Sequence, residues 1–251
     1  YMSTISLCMI TKNEEQFIEQ CLNSVKDLVD EIIIVDTGSS DGTKEIALRY
    51  TDKLFDFKWC DDFSAARNES LKYAASDWVL VLDADEVLDE GSKEQITTLL
   101  GGVQLDVGAF SLIQNTYTND TSRIGFVTLL QKETFGKQFL GVTRSKEIRL
   151  FRNLPMIRYS GQVHESVETS LTAADFTLSE CSAMIHHYKE MYGDSRKEEK
   201  VKKYLRLVQN KIQEKPTAKA YCELGILLKE SGDFMAAEDA FRNSLELDSS
   251  H

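Results

Sequence analysis

Trp78-Val79-Leu80-Val81-Leu82-Asp83-Ala84-Asp85-Glu86 is the stretch that decides the fold. Five apolar residues, rich in Val and Leu, run without a break into two carboxylates. Such a run reads as a strand buried on both faces inside a parallel sheet. Ligands of those sheets bind just beyond the carboxyl ends of the strands, where Asp83 and Asp85 stand. Side chains two apart in extended chain point the same way, so the spacing predicts that both carboxylates face one divalent cation. A strand that merely ends in a polar turn would look the same, because Asp is common in turns. The neighbouring segments decide between the two.

Upstream, residues 4–10 (Thr-Ile-Ser-Leu-Cys-Met-Ile) read as a first buried strand. The polar turn Thr11-Lys12-Asn13-Glu14-Glu15 follows, and then Phe17, Ile18, Cys21, Leu22, Val25 and Leu28 recur at helical spacing. Residues 31–35 predict a second strand ending in Asp36. A loop rich in Gly, Ser and Asp leads to a helix over residues 43–50, with Asp41 as a suitable cap. Residues 54–57 predict a short third strand, and residues 63–75 a helix with Arg67 and Asn68 near its start. Downstream, residues 92–100 predict a helix that Gly101-Gly102 stops. Strand and helix alternating in this way is the signature of a parallel sheet.

From residue 107 to 182 short apolar stretches alternate with polar ones: 108–113, 148–151, 156–159 and 182–185. They predict mixed β-structure with long loops, and the aperiodic stretch 117–141 reads as a mobile flap. Residues 195–215 are helical in pattern and strongly basic, which suits a solvated face or a site for an acidic partner. Residues 218–250 resemble one tetratricopeptide repeat: Tyr221, Leu224, Gly225 and Leu228, then Gly232, Ala237, Phe241, Ser244 and Leu245. Leu228 replaces the usual Tyr and Ser249 stands near the usual Pro. One repeat cannot bury its own apolar face, which invites packing on other elements or homodimerisation. The chain stops where the repeat does, as a truncated longer protein would, and Tyr1 reads as a tag residue ahead of a start methionine.

The chain is 251 residues long, enough for one large domain with a small appendage. We divide it into residues 1–190 and a helical segment, 191–251. Its net charge is -12, with 41 acidic residues against 29 basic, which argues against nucleic acid as a partner. A phosphorylated small molecule stays open, because a metal supplies local positive charge. Cys8, Cys21, Cys60, Cys181 and Cys222 form no CxxC pair and, Cys60 apart, lie in apolar-patterned segments. They predict buried free thiols and a cytoplasmic location. No apolar run approaches the roughly 18 residues of a membrane span, and no signal peptide is evident at the N-terminus.

Three polar clusters now fall at the carboxyl ends of predicted parallel strands: Thr11 with Asn13 and Glu14, then Asp36, then Asp83 with Asp85. Converging polar groups there suit a nucleotide. Two carboxylates cannot lie beside a diphosphate without a cation between them, since like charges repel.

Four segments in order resemble glycosyltransferase family 2. They are Ser6-Leu7-Cys8-Met9-Ile10-Thr11-Lys12-Asn13-Glu14-Glu15, Ile34-Val35-Asp36-Thr37-Gly38-Ser39-Ser40-Asp41-Gly42-Thr43, Phe63-Ser64-Ala65-Ala66-Arg67-Asn68 and Asp83-Ala84-Asp85. The resemblance is close over residues 3–100 and looser to about residue 190. It implies a GT-A fold, a Rossmann-like mixed α/β sheet, followed here by the small helical segment. It also implies an inverting, metal-dependent transferase that takes a UDP-sugar with Mg²⁺ or Mn²⁺. By motif position, Thr11, Asn13 and Glu14 border the nucleoside, Asp36 reads the uracil edge, and Arg67 with Asn68 lies near the ribose and phosphates. Asp83-Ala84-Asp85 lies against the donor and the metal, with Asp85 the more direct ligand. Gly161-Gln162-Val163-His164-Glu165 resembles a His-Glu element of one branch, which makes Glu165 the base that deprotonates the acceptor and His164 its orienting partner. In His186-His187-Tyr188 the same branch implies a third metal ligand, and His187 matches through its following Tyr.

A catalytic domain followed by a tetratricopeptide repeat resembles bacterial peptide glycosyltransferases, including those that modify bacteriocins, and some lipopolysaccharide-core enzymes. The resemblance implies a bacterial protein with a peptide or protein acceptor, or alternatively a lipopolysaccharide or polysaccharide acceptor. A haloacid-dehalogenase-type phosphatase also runs an apolar strand into Asp-x-Asp, but it needs a later acidic pair at a strand end that is missing here. A non-catalytic sugar-nucleotide-binding scaffold would not need Asp83, Asp85, His164 and Glu165 together.

Overall fold

The computed structural model describes residues 3–129, 138–188, 191 and 194–248, with side chains for all of these except 194–200 and 230. The chain divides into two units, Tyr1–Glu190 and Met191–His251.

In the first unit the described strands are β1 (Ile5–Thr11), β2 (Glu31–Asp36), β3 (Leu54–Asp56), β4 (Trp78–Val81), β5 (Glu86–Leu88), β6 (Val107–Thr118), β7 (Phe126–Thr128), β8 (Gly141–Arg152) and β9 (Thr177–His187). The helices are α1 (Ile18–Val25), α2 (Thr43–Ala47), α3 (Phe63–Leu71), α4 (Glu90–Gly101) and α5 (Glu168–Ala173). The strands form one sheet in the order β3-β2-β1-β4-β8-β6-β9-β5, with β7 paired to β8. β3, β2, β1 and β4 run parallel. β8 then runs antiparallel to both β4 and β6, and β6 is parallel to β9. Parallel direction brings the carboxyl ends of β1, β2 and β4 to one edge.

The unbroken apolar runs have a simple cause: both sheet faces are covered. Leu7, Met9, Ile34, Leu80 and Leu82 pack on one side with Ile18, Cys21, Leu22 and Val25 of α1. Cys8, Ile33, Val79 and Val81 pack on the other with Leu71, Phe151 and Ile157. Alternate residues of each strand therefore enter different cores, and both sets are mostly apolar, with the buried Ser6 hydroxyl satisfied by Glu31.

Several expectations need correction. Residues 156–159 are not a strand; they lie in a loop whose Ile157 and Tyr159 are apolar because they enter the second core. β6 and β8 are far longer than their apolar kernels, since paired strands continue wherever backbone partners exist. β5 was not expected at all. Of the stretch 117–141, Phe126–Thr128 forms β7 on β8, and residues 130–137 lie outside the described residues, so the flap expectation falls partly there. Cys8, Cys21 and Cys181 are buried, but Cys222 is exposed along with Cys60.

At the opposite end of β2, Glu31 ties three segments together. It accepts hydrogen bonds from Ser6 Oγ, from Ala75 N–H at 2.6 Å and from Ser76 N–H at 3.1 Å, and it pairs with Lys53. Burial alone would raise its pKa, but these donors, Lys53 first, bring it from 4.5 down to about 2. A carboxylate lowered on folding contributes stability above its unfolded pKa and loses it as pH falls through the folded one. Glu31→Gln is expected to cost about 2–3 kcal/mol at pH 7, and the difference from wild type is expected to shrink between pH 4.5 and about 2. Urea melts across that range check it; a constant difference would count against the assignment.

The second unit holds α6 (Asp194–Glu214), α7 (Ala218–Glu230) and α8 (Phe234–Asp248). Thr217 caps α7 by accepting from Ala220 N–H at 3.2 Å. Gly232, at φ 85, makes the turn into α8. At Gly225 a Cβ would come within 2.6 Å of the Phe241 ring, so close helix approach requires glycine. This is a TPR-like helix pair. In the basic helix α6, Lys211 pairs with Glu223 at 2.8 Å, while the side chains of Arg196, Lys197 and Lys200 lie outside the described residues.

Candidate active site

The edge is built from β1 and β2 outward. Thr11 and Asp36 are register partners at the ends of their strands. Asp36 is 1% exposed; its Oδ1 accepts from Gly38 N–H at 2.9 Å and Ser39 N–H at 2.8 Å. Its Oδ2 has no partner, and neither has the buried Thr11 Oγ1. Buried polar atoms are almost always hydrogen-bonded, so these two atoms at the strand edge keep hydrogen-bonding capacity that the described residues do not use. Asn13 works differently. At φ 57 it bends the chain, its Oδ1 accepts from Ser40 N–H at 2.8 Å, and its N–H donates to Ser39 Oγ at 2.8 Å. It fastens the two loops together. The Glu14 N–H donates to Thr43 Oγ1 at 2.6 Å, a second fastening.

β4 stops at Val81, and residues 83–86 close into a turn. Glu86 N–H donates to Asp83 O at 3.0 Å, and Asp83 N–H donates to Glu86 Oε2 at 2.8 Å. The reciprocal bonds resemble a capping box. Asp83 and Asp85 are thus not two apart in extended chain, and the turn gives them different partners. Asp83 meets Arg67 Nη2 at 2.8 Å and Arg149 Nη2 at 3.5 Å. Burial opposes its charge, but Arg67 and Arg149 outweigh burial and hold Asp83 well below the usual carboxylate range. Ala84 packs its methyl into the first core.

Asp85 Oδ2 lies 3.3 Å from His187 Nε2. Burial favours the neutral imidazole, yet Asp85, then Glu86 and Asp83, raise its pKa. His187 Nδ1 is 2.8 Å from Gln114 Nε2. His186, next along β9, faces the other way: Nδ1 is 2.9 Å from Tyr117 Oη and Nε2 is 3.3 Å from Asp89 Oδ2. Both of its ring nitrogens serve the fold.

Glu165 stands on the loop after β8 and accepts from Arg67 Nε at 2.5 Å. Arg67 therefore bridges Asp83 and Glu165, and its Nη1 is buried without a partner. The loop is held by Asn68, whose Nδ2 donates to Tyr159 O at 2.9 Å and whose Oδ1 accepts from Tyr159 N–H at 2.9 Å. That amide is wholly engaged with backbone, so Asn68 positions the loop. Phe63 N–H donates to Gln162 O at 3.0 Å beside it. His164 is exposed at φ 53, a strained conformation next to Glu165.

Three residues escaped the sequence reading. Glu86 is 0% exposed, and burial, its largest influence, raises its pKa to about 7. Arg149 Nη2 reaches Glu86 at 2.5 Å and Gln114 Oε1 at 3.1 Å. Arg149 stands inside an apolar strand, Ile148-Arg149-Leu150-Phe151, and a charge in such a run was the available signal. Gln114 offered none.

Among the described residues no three His, Cys, Asp or Glu side chains gather to hold a metal by themselves. Asp85 and His187 supply one carboxylate and one imidazole. A hard divalent cation takes such donors when substrate oxygens and water complete its shell, so the pair fits Mg²⁺ or Mn²⁺ beside a diphosphate.

Residues 6–147 match the model of glycosyl transferase family 2. The chain belongs to that family. A TPR repeat-containing protein of Synechococcus elongatus is 35% identical over 254 residues, covering 98% of this chain and 57% of that protein. The SPbeta prophage-derived glycosyltransferase SunS of Bacillus subtilis is 30% identical over 164 residues, covering 64% of this chain and 34% of SunS. The chain thus spans little more than half of one relative and a third of the other. The solved mannosyltransferase PcManGT of Pyrobaculum calidifontis, in complex with GDP-Man and Mn²⁺, superposes with a TM-score of 0.53 at 14% identity, over 98% of this chain and 74% of that one. At that identity the likeness is one of fold. This family 2 chain has the GT-A fold, and helices follow it in the sequence. No helix among the described residues is long and apolar enough to cross a membrane.

Proposed function

We propose that the chain transfers a hexose from a nucleotide diphosphate sugar, a UDP-sugar in our reading, to a peptide or protein side chain with inversion. One observation carries the donor half: Thr11 Oγ1, Asp36 Oδ2 and Arg67 Nη1 are buried, unpartnered, and belong to the strand-edge cluster. An acceptor at Asp36 meets the N–H of a uracil, and a donor at Arg67 meets ribose or phosphate oxygens. Family membership supports the transferase class.

Asp85 and His187 are the residues that would hold a divalent cation, and its chemistry there is to neutralise the departing diphosphate. The chain's own residues do the rest. Arg67 holds Asp83 and Glu165 on either side of the site. Glu165, on a loop fastened by Asn68, takes the acceptor's proton, and the strained His164 beside it orients that loop. The TPR-like helix pair and the match to a TPR repeat-containing protein support a peptide or protein acceptor, because helix-pair units stack into extended peptide-holding surfaces. Three buried free thiols agree with a cytoplasmic location.

A panel of UDP-sugars and GDP-sugars with Mn²⁺ or Mg²⁺ tests the donor. A UDP-sugar is expected to raise the melting temperature and to be hydrolysed only with the cation. Binding without any hydrolysis or transfer would favour a scaffold, and transfer to a glycan alone would move the acceptor to the polysaccharide class. Glu165→Gln is expected to lower kcat at least about 100-fold while UDP binding stays unchanged. Turnover near wild type in a folded variant would remove Glu165 from the role of base.

A further inference from the structure

Gln114 lies on β6, 8% exposed, between two halves of the site. Its Oε1 accepts from Arg149 Nη2 at 3.1 Å, and its Nε2 lies 2.8 Å from His187 Nδ1. A guanidinium has no lone pair to offer, so the amide oxygen must face Arg149 and the amide nitrogen must face His187. A donating amide requires a lone pair on Nδ1. The proton of the neutral ring then sits on Nε2, where Asp85 Oδ2, 3.3 Å away, accepts it. This form closes His187 onto Asp85 and offers no lone pair at Nε2. Metal-bound histidines ordinarily do the reverse and donate from the ring nitrogen that is not on the metal. Thr116 Oγ1, 3.3 Å from the same Nδ1, is the acceptor available if the proton moves there.

We propose that Gln114 is a positioning residue that locks His187 in the tautomer protonated at Nε2, and that a cation can use His187 only after the Gln114–His187 bond breaks. The proposal rests on the reading that Asp85 and His187 hold a divalent cation. Nε2 loses its proton to solvent and Nδ1 gains one from solvent, so the net charge of the ring is the same before and after the exchange. Arg149 enforces the lock from the far side of the amide, which links the arginine-bound Asp83 to the metal-facing Asp85.

Histidine-selective ¹⁵N labelling reads the tautomer directly, because the chain has four histidines, and His187→Ala assigns the signal. In metal-free protein, at a pH where the ring is neutral, His187 is expected to show a protonated Nε2 and a bare Nδ1. In Gln114→Glu, a carboxylate oxygen facing Nδ1 is expected to move the proton to Nδ1. The same variant is expected to bind Mn²⁺ at least about 10-fold more tightly by calorimetry. A wild-type ring already protonated on Nδ1, or a variant with unchanged spectrum and affinity, overturns the proposal. If His187→Ala binds Mn²⁺ as well as wild type, the cation reading itself fails, whereas a loss in His187→Ala with no effect of Gln114→Glu sinks the lock alone.

Discussion

Asp85→Asn is expected to lower kcat/KM for sugar transfer by about a thousandfold and to remove Mn²⁺ binding. The substitution keeps the size of the side chain and one acceptor oxygen but removes the charge that would face a divalent cation. A cation that neutralises a leaving diphosphate supplies several kcal/mol of charge stabilisation, and about 4 kcal/mol is three orders of magnitude in rate. Stability is expected to change little, because the lost attraction to His187 is offset by relief of the repulsion that Asp85 exerts on the buried Glu86. Three measurements are needed together: a thermal melt, a Mn²⁺ titration and transfer at saturating Mn²⁺. A folded Asp85→Asn protein that transfers sugar at the wild-type rate would falsify the metal role.

Arg149→Leu carries the largest expected effect on stability. It leaves Glu86, 0% exposed, without its guanidinium partner at 2.5 Å. An uncompensated buried charge costs about 3–5 kcal/mol, or about 10 °C in the melting of a unit this size. The cost depends on pH in a definite direction. Glu86 already has its pKa raised from 4.5 to about 7 in the folded protein. A carboxyl raised on folding stabilises the fold while protonated, fully below 4.5, and loses that contribution as pH rises through 7. Removing Arg149 raises the folded pKa further, so the variant is expected to be only slightly weakened at pH 5 and much more so at pH 8. Adding Glu86→Gln is expected to recover most of the loss at pH 8 and to flatten the dependence. Equal destabilisation at both pH values, with no rescue by the second substitution, would show that Arg149 acts through packing and not through charge.

Much of the fold was legible because burial writes itself into local spacing. Residues 78–82 had to be apolar at every position, since Leu80 and Val81 enter opposite cores. The same logic placed the parallel strands that end at Thr11 and Asp36, and with them the edge of the site. The parallel direction of those strands follows from the helices that alternate with them, whereas their order in the sheet, with β4 beside β1, does not.

The tertiary structure decided how the charges are shared at that edge. Reciprocal bonds between Asp83 and Glu86 turn the chain, so Asp83 goes to arginines and Asp85 to His187. Arg149 and Glu86 are 63 positions apart, and Gln114 and His187 are 73 apart. Neither contact leaves a trace in local periodicity, because it depends on the register of β8 and β6 against strands formed elsewhere in the chain. For the histidine pair the resemblance had already pointed to His187, and the pairing of β9 with β5 and β6 is what turns that side chain toward Asp85. Hydrophobic burial is a property of each segment, whereas the pairing of charges is a property of segments brought together.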